Sequence, residues 1–186
     1  MTAKHKPRAL PNLRSSGQLY LAYGSNLNKE QMQRRCPGAR PVGARFLPHA
    51  QLVFRGVADV VYDPDPASRC PVALWRITPA DEVVLDRYEG VASGFYAKCY
   101  IKIRINGRPE ECLVYCMQSH EIAPPGEWYL DVIAQGYRDF GLPLDYLDRA
   151  VEASWNDKHV GPDVRRRRAR PSHGPVAYGV DTDALA

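Results

Sequence analysis

The residues best equipped for chemistry in this chain are the run Tyr20-Leu21-Ala22-Tyr23-Gly24-Ser25-Asn26-Leu27 and a single carboxylate, Glu89. In the run, a short apolar strand breaks at one glycine and feeds polar residues into the start of a helix. Gly24 has no Cβ and is free to take φ > 0, so the backbone can turn sharply and approach a ligand closely. Ser25, Asn26 and Asn28 are capping residues, and Asn28-Lys29-Glu30-Gln31 has the spacing of a capping box. A helix over about 29–35 would then turn unpaired N–H groups and a partial positive charge toward the loop, forming an anion cradle.

Glu89 follows a helix-start signal, Thr78-Pro79-Ala80-Asp81-Glu82. Thr78 suits the N-cap, Pro79 the first helical position, and Asp81 and Glu82 complement the positive end of the dipole. Gly90 stops the helix. Glu89 therefore falls in its last turn, beside exposed carbonyls, where a carboxylate is disfavoured and its pKa rises; a base poised nearer neutrality results. Position alone also permits a plainer reading, because Asp81, Glu82, Asp86 and Glu89 together look like a solvated face.

These residues need a frame. Strand-like runs occur at 18–23, 40–47, 51–55, 57–62 and 71–77, and two longer ones, 95–105 and 108–117, flank the hairpin turn Asn106-Gly107. Helical periodicity fills 127–140, ending at Gly141, and continues over 143–154. Separated strands with late helices and no repeat predict an α+β fold and exclude a doubly wound sheet.

Three separated motifs resemble the γ-glutamylcyclotransferases. They are residues 19–27, the Glu89-Gly90-Val91-x-Ser93-Gly94-x-Tyr96 run, and Ala123-Pro124-Pro125 followed by Gly141-Leu142-Pro143-Leu144-Asp145-Tyr146. Their order and spacing agree over roughly 18–155. Tyr23-Gly24-Ser25-Asn26 is similar to the small, general branch; glutathione-specific members tend to read Tyr-Gly-Ser-Leu there. The resemblance implies a small mixed β-barrel flanked by helices. It implies intramolecular aminolysis, in which the substrate's α-amine attacks its own γ-carbonyl, closes 5-oxoproline and expels the acylated amine. It assigns the acid/base role to Glu89, substrate binding to Tyr20, Leu21, Ala22, Tyr23, Gly24 and Ser25, and pocket positions to Tyr96 and Tyr129. No cofactor is required by this chemistry, and no metal. Between Phe54 and Val60 the chain departs from its better-known relatives, Arg55-Gly56-Val57-Ala58-Asp59 replacing a longer polar loop. The γ-glutamyl substrate is therefore open: an amino acid, an amine or a larger metabolite.

Nothing in the motifs calls for a cofactor either: there is no Gly-x-Gly-x-x-Gly, no Walker loop and no His-Glu-x-x-His. Cys112, Cys116 and His120 are spaced four apart, but the segment is β-like in composition, and three ligands on one strand do not close a tetrahedral zinc site. Buried neutral cysteines are expected instead.

A chain of 186 residues, 45% hydrophobic, buries one core and predicts one domain. Five cysteines without a disulfide-like framework point to a reducing compartment, and a polar N-terminus with no apolar run of membrane-spanning length points to the cytoplasm and no membrane. The net charge of +4 belongs to the flanks, since residues 18–155 hold 15 basic against 17 acidic residues. Residues 1–17 and 156–186 are accordingly expected to be flexible basic ends around an 18–155 domain. Arg165-Arg166-Arg167-Arg168-Ala169-Arg170 lacks interleaved aromatics and reads as a solvated tail ahead of a nucleic-acid contact. The rival to an enzyme is a non-catalytic binding module of the same fold that uses these ends on RNA or another polyanion. A homodimer is compatible with the sequence, which carries no signal for oligomeric state.

Overall fold

The computed structural model describes residues 17–118 and 120–159. Seven strands and four helices follow in the order β1 (Gln18–Ala22), α1 (Lys29–Arg35), β2 (Arg40–Pro48), β3 (Ala50–Phe54), β4 (Ala58–Tyr62), β5 (Arg69–Ile77), α2 (Pro79–Tyr88), β6 (Tyr96–Ile105), β7 (Arg108–Met117), α3 (Glu127–Phe140) and α4 (Asp145–His159). The main sheet has five strands in the order β2-β5-β1-β7-β6, and β3 and β4 form a second, two-stranded sheet. The fold is α+β, as expected.

Burial follows strand position. β1 and β5 are central, and their nearly continuous apolar runs are buried, which is what a strand covered on both faces requires. β6 is an edge strand and alternates buried Ile101, Ile103 and Ile105 with outward Tyr100, Lys102 and Arg104. Its hairpin to β7 turns through Asn106 (φ 52°) and Gly107 (φ 74°), the left-handed pair of a type I′ turn.

The expected barrel does not close. β2 and β6 are opposite edges of the sheet, yet Phe46 and Leu47 of β2 share a small apolar cavity with Ile103 of β6, Leu21 and Val72. The sheet curls until its edges face each other, and side chains rather than a β2–β6 ladder fill the seam.

Chain direction gathers one set of ends. β1 pairs parallel with β7, whereas β6 runs antiparallel to β7, so β1 and β7 finish where β6 begins. β5 is antiparallel to β1 and ends beside Gln18, at the opposite end. The 10-residue helix α2 then returns about 15 Å, roughly the length of a five-residue strand, and delivers its C-terminus to the end of β1.

The two terminal segments, including the arginine run, lie outside the described residues except for Gly17 and where α4 crosses the expected boundary at 155 and continues to His159. No described helix is long and apolar enough to cross a membrane.

Candidate active site

α2 is built to hold Glu89 in place. Thr78 and Asp81 form a reciprocal capping box, with Pro79 opening the helix, a motif worth about 1 kcal/mol. Asp81 also accepts from Gly38 N at 3.1 Å, which ties α2 to the chain after α1. At the other end Gly90 takes φ 65°, and Glu89 becomes the C-cap residue. The acidic run is not a solvated face: Asp81 is only 4% exposed, Glu82 and Asp86 both pair with Lys98, and Glu89 enters a cleft.

That cleft, partly open to solvent, is lined by Tyr20, Tyr23, Gly24, Ser25, Asn26, Ala58, Glu89, Tyr96, Tyr115 and Tyr129. Seven of the nine residues expected at the site therefore meet there. Leu21 and Ala22 do not: both are buried in the core, paired with Leu74 and Ala73, and Leu21 lines the seam cavity instead. Alternation along the strand turns the Leu21 side chain to the face opposite Tyr20.

The turn after β1 differs in two respects from the anion cradle. Gly24 has φ −106°, so it is not a left-handed glycine; it serves close approach, because a Cβ there would stand 3.1 Å from both Tyr129 Oη and Ala58 Cβ. Ser25–Leu27 form a 3-10 turn, and two of the first α1 amides are taken. Asn28 Oδ1 accepts from Gln31 N at 2.9 Å, and Asp139 Oδ2 accepts from Lys29 N at 2.8 Å. The capping box is half made, since Asn28 N already donates to Ser25 O and Gln31 Oε1 is unpartnered. Gly24→Val is expected to lower affinity for a γ-glutamyl ligand by at least about tenfold, and to cost about 1–3 kcal/mol of stability through overpacking. Isothermal titration calorimetry and thermal melting measure both, and unchanged binding would remove the turn from the site.

Two tyrosines grip Ala58, which opens β4 within the short segment between Phe54 and Val60. Tyr96 Oη donates to Ala58 O at 2.6 Å, and Ala58 N donates to Tyr129 Oη at 3.1 Å. The Ser25 backbone favours the ionised form of the same hydroxyl without reversing the effect of burial. Burial holds both phenols protonated, Tyr129 pushed up to about 12. Tyr129 thus accepts from the main chain and keeps its own proton to donate into the cleft.

Glu89 Oε1 accepts from Asn26 Nδ2 at 2.9 Å, and the same amide donates to Tyr20 Oη at 2.9 Å. Burial pushes the Glu89 carboxyl up to about 7, while the charge of Arg35 and the Asn26 bond oppose the rise. A carboxyl group in this state takes or gives a proton near neutrality. Neither Asn26 nor Arg35 stood out as site residues in the sequence. Asn26 lies inside the Tyr-Gly-Ser-Asn motif, where its type was the available signal; Arg35 carries none.

The AIG2-like family matches residues 70–149. Human γ-glutamylcyclotransferase is 30% identical over 152 aligned residues, covering 75% of this chain and 80% of the human one. The chain belongs to the γ-glutamylcyclotransferase family. The mouse γ-glutamylcyclotransferase is 32% identical over 144 residues, covering 70% and 76% of the two chains. A solved γ-glutamyl cyclotransferase structure superposes with a TM-score of 0.63 at 28% identity, over 79% of this chain and 89% of that one. The protein is an enzyme of the γ-glutamylcyclotransferase kind. Among the described residues no three His, Cys, Asp or Glu side chains are grouped to hold a metal ion. Cys112 is buried in β7 with its thiol against Glu110 O, and the His120 ring packs on Phe95 at 4.7 Å.

Proposed function

We propose that this γ-glutamylcyclotransferase-family enzyme closes 5-oxoproline from a γ-glutamyl amide, with Glu89 as the single acid/base. The observation that carries the reading is the Glu89 carboxylate at the wall of a tyrosine-lined cleft, held there by Asn26 at 2.9 Å. Glu89 takes a proton from the substrate's α-ammonium. The freed amine attacks the γ-carbonyl carbon, the γ-carbonyl oxygen gains negative charge, and Tyr129 O–H is placed to donate to it. Collapse breaks the γ C–N bond as Glu89 returns its proton to the departing nitrogen; the carboxylate then takes the surplus proton of the cationic ring nitrogen and passes it to the released amine, which leaves as an ammonium. No water is consumed, and the carboxylate ends as it began. One oxyanion donor is typically worth about 3 kcal/mol of barrier height, so the tyrosine and the turn matter alongside the base.

The leaving group is the open part of the substrate. It is an amino acid or an amine in this reading, with Ala58 and the short loop around it nearest to that choice. A panel of γ-glutamyl amino acids, γ-glutamyl amines and larger γ-glutamyl conjugates assayed for 5-oxoproline release tests it. Turnover of at least one class is expected; absence of 5-oxoproline from every class would end the reading.

A further inference from the structure

We propose that Arg35 is a positioning residue that fixes the Asn26 side-chain amide and thereby sets the proton affinity of Glu89. This rests on the reading of Glu89 as the acid/base. An Asn amide has an accepting end and a donating end, and the two are nearly the same shape; a flipped Asn26 would present its oxygen to the Glu89 carboxylate and repel it. A guanidinium can only donate. Arg35 Nη1 lies 2.6 Å from Asn26 Oδ1, which commits the oxygen to α1 and leaves both amide hydrogens for Tyr20 and Glu89. Arg35 is itself held at two further points, by Ser25 Oγ at 3.2 Å and by the Tyr88 ring, whose centroid lies 3.3 Å from its guanidinium carbon. Tyr88 immediately precedes Glu89, so one arginine joins the 3-10 turn to the end of α2.

The surroundings of Glu89 make Arg35 the influential charge. The titratable groups that act on or are acted on by it are Tyr20 of β1, Tyr23 just after it, Tyr96 of β6, Tyr115 of β7 and Tyr129 of α3, all held neutral by burial. Against that neutral ring Arg35 supplies positive charge and, through Asn26, a hydrogen bond to the ionised form. Both favour the carboxylate, so loss of Arg35 leaves burial unopposed and Glu89 harder to ionise.

The test compares Arg35→Met and Arg35→Lys with the unmodified full chain in two measurements. One is the pH dependence of kcat/KM on the best γ-glutamyl substrate; the other is the Glu89 carboxyl titration by carbon NMR, assigned with Glu89→Gln. Arg35→Met is expected to raise both midpoints by about one pH unit and to lower kcat/KM at pH 6.5 by about tenfold, the loss recovering on the alkaline side. Arg35→Lys, which keeps the charge, is expected to return most of the shift. Should Arg35→Met not fold, Arg35→Gln carries the same expectation. A midpoint unchanged in the NMR titration would overturn the proposal, as would reduced activity with an unshifted profile, the signature of a structural role. Because the NMR titration needs no turnover, it separates this failure from an absence of 5-oxoproline formation by the unmodified protein, which would overturn the acid/base reading itself.

Discussion

Glu89→Gln is expected to fold, to bind its γ-glutamyl substrate with little loss of affinity, and to turn over about 10³–10⁴-fold more slowly. Gln keeps the shape and the carbonyl oxygen that Asn26 Nδ2 donates to but has no proton affinity near neutrality. General acid–base contributions span about 10²–10⁴-fold, and one group handles both proton transfers here, which argues for the upper part. Steady-state 5-oxoproline release against a binding isotherm separates kcat from affinity. Retention of most activity would remove Glu89 from the role of base.

The same substitution has a second, opposite effect. The Glu89 carboxyl is pushed from 4.5 up to about 7 by burial. Below pH 4.5 it is neutral in both folded and unfolded chains. Between pH 4.5 and 7 the unfolded chain has gained the charge while the folded one still holds its proton, so stability falls across that window and levels off once the folded carboxyl ionises above about 7. Glu89→Gln avoids this. It is expected to be more stable than the unmodified protein at pH 8, by on the order of 1–3 kcal/mol, and equally stable at pH 4. In the active protein kcat/KM should climb with pH and level off above about 7. Denaturant unfolding at the two pH values reads the crossover, and a less stable Gln variant at pH 8 would mean that the carboxylate is not held against burial.

Gly136→Ala is expected to be the most damaging small substitution outside the cleft. Gly136 sits mid-helix in α3, where a Cβ would stand 2.5 Å from Leu27 Cβ, 2.6 Å from Leu27 C and 2.7 Å from Asn28 N. Two of those neighbours are backbone of the turn that leads out of the cleft, so they cannot rotate away. Helix propensity alone favours alanine by about 1 kcal/mol, but overpacking on main chain outweighs it, for a net loss of about 2–3 kcal/mol. In a domain of this size that lowers Tm by about 4–12 °C. Activity should fall further than stability, because pushing Leu27 outward draws Asn26 away from Glu89. An unchanged melting temperature would show that α3 does not clamp the turn.

Much of this was legible in the chain because it is local. The Thr78 cap, Pro79, the Gly90 stop and the Asn106-Gly107 hairpin each depend on backbone preferences over three or four residues, and they appear where their types place them. Glu89 at a helix end is the same kind of fact. Three motifs in order carried the family resemblance, and with it the grouping of tyrosines that composition does not reveal.

What the tertiary structure decided involves partners far apart in sequence. Asn26 reaches Glu89 across 63 positions, Ala58 is gripped by Tyr96 and Tyr129, and Gly136 is a glycine because Leu27 is packed on it. None of these pairings follows from local propensity; they exist because β1 and β7 run parallel and α2 is long enough to return along the sheet. The same order turns Leu21 away from the cleft that its neighbour Tyr20 lines, and leaves the curled sheet open between β2 and β6. Residue types thus determined what the site could do, while strand direction and helix length determined which of them meet.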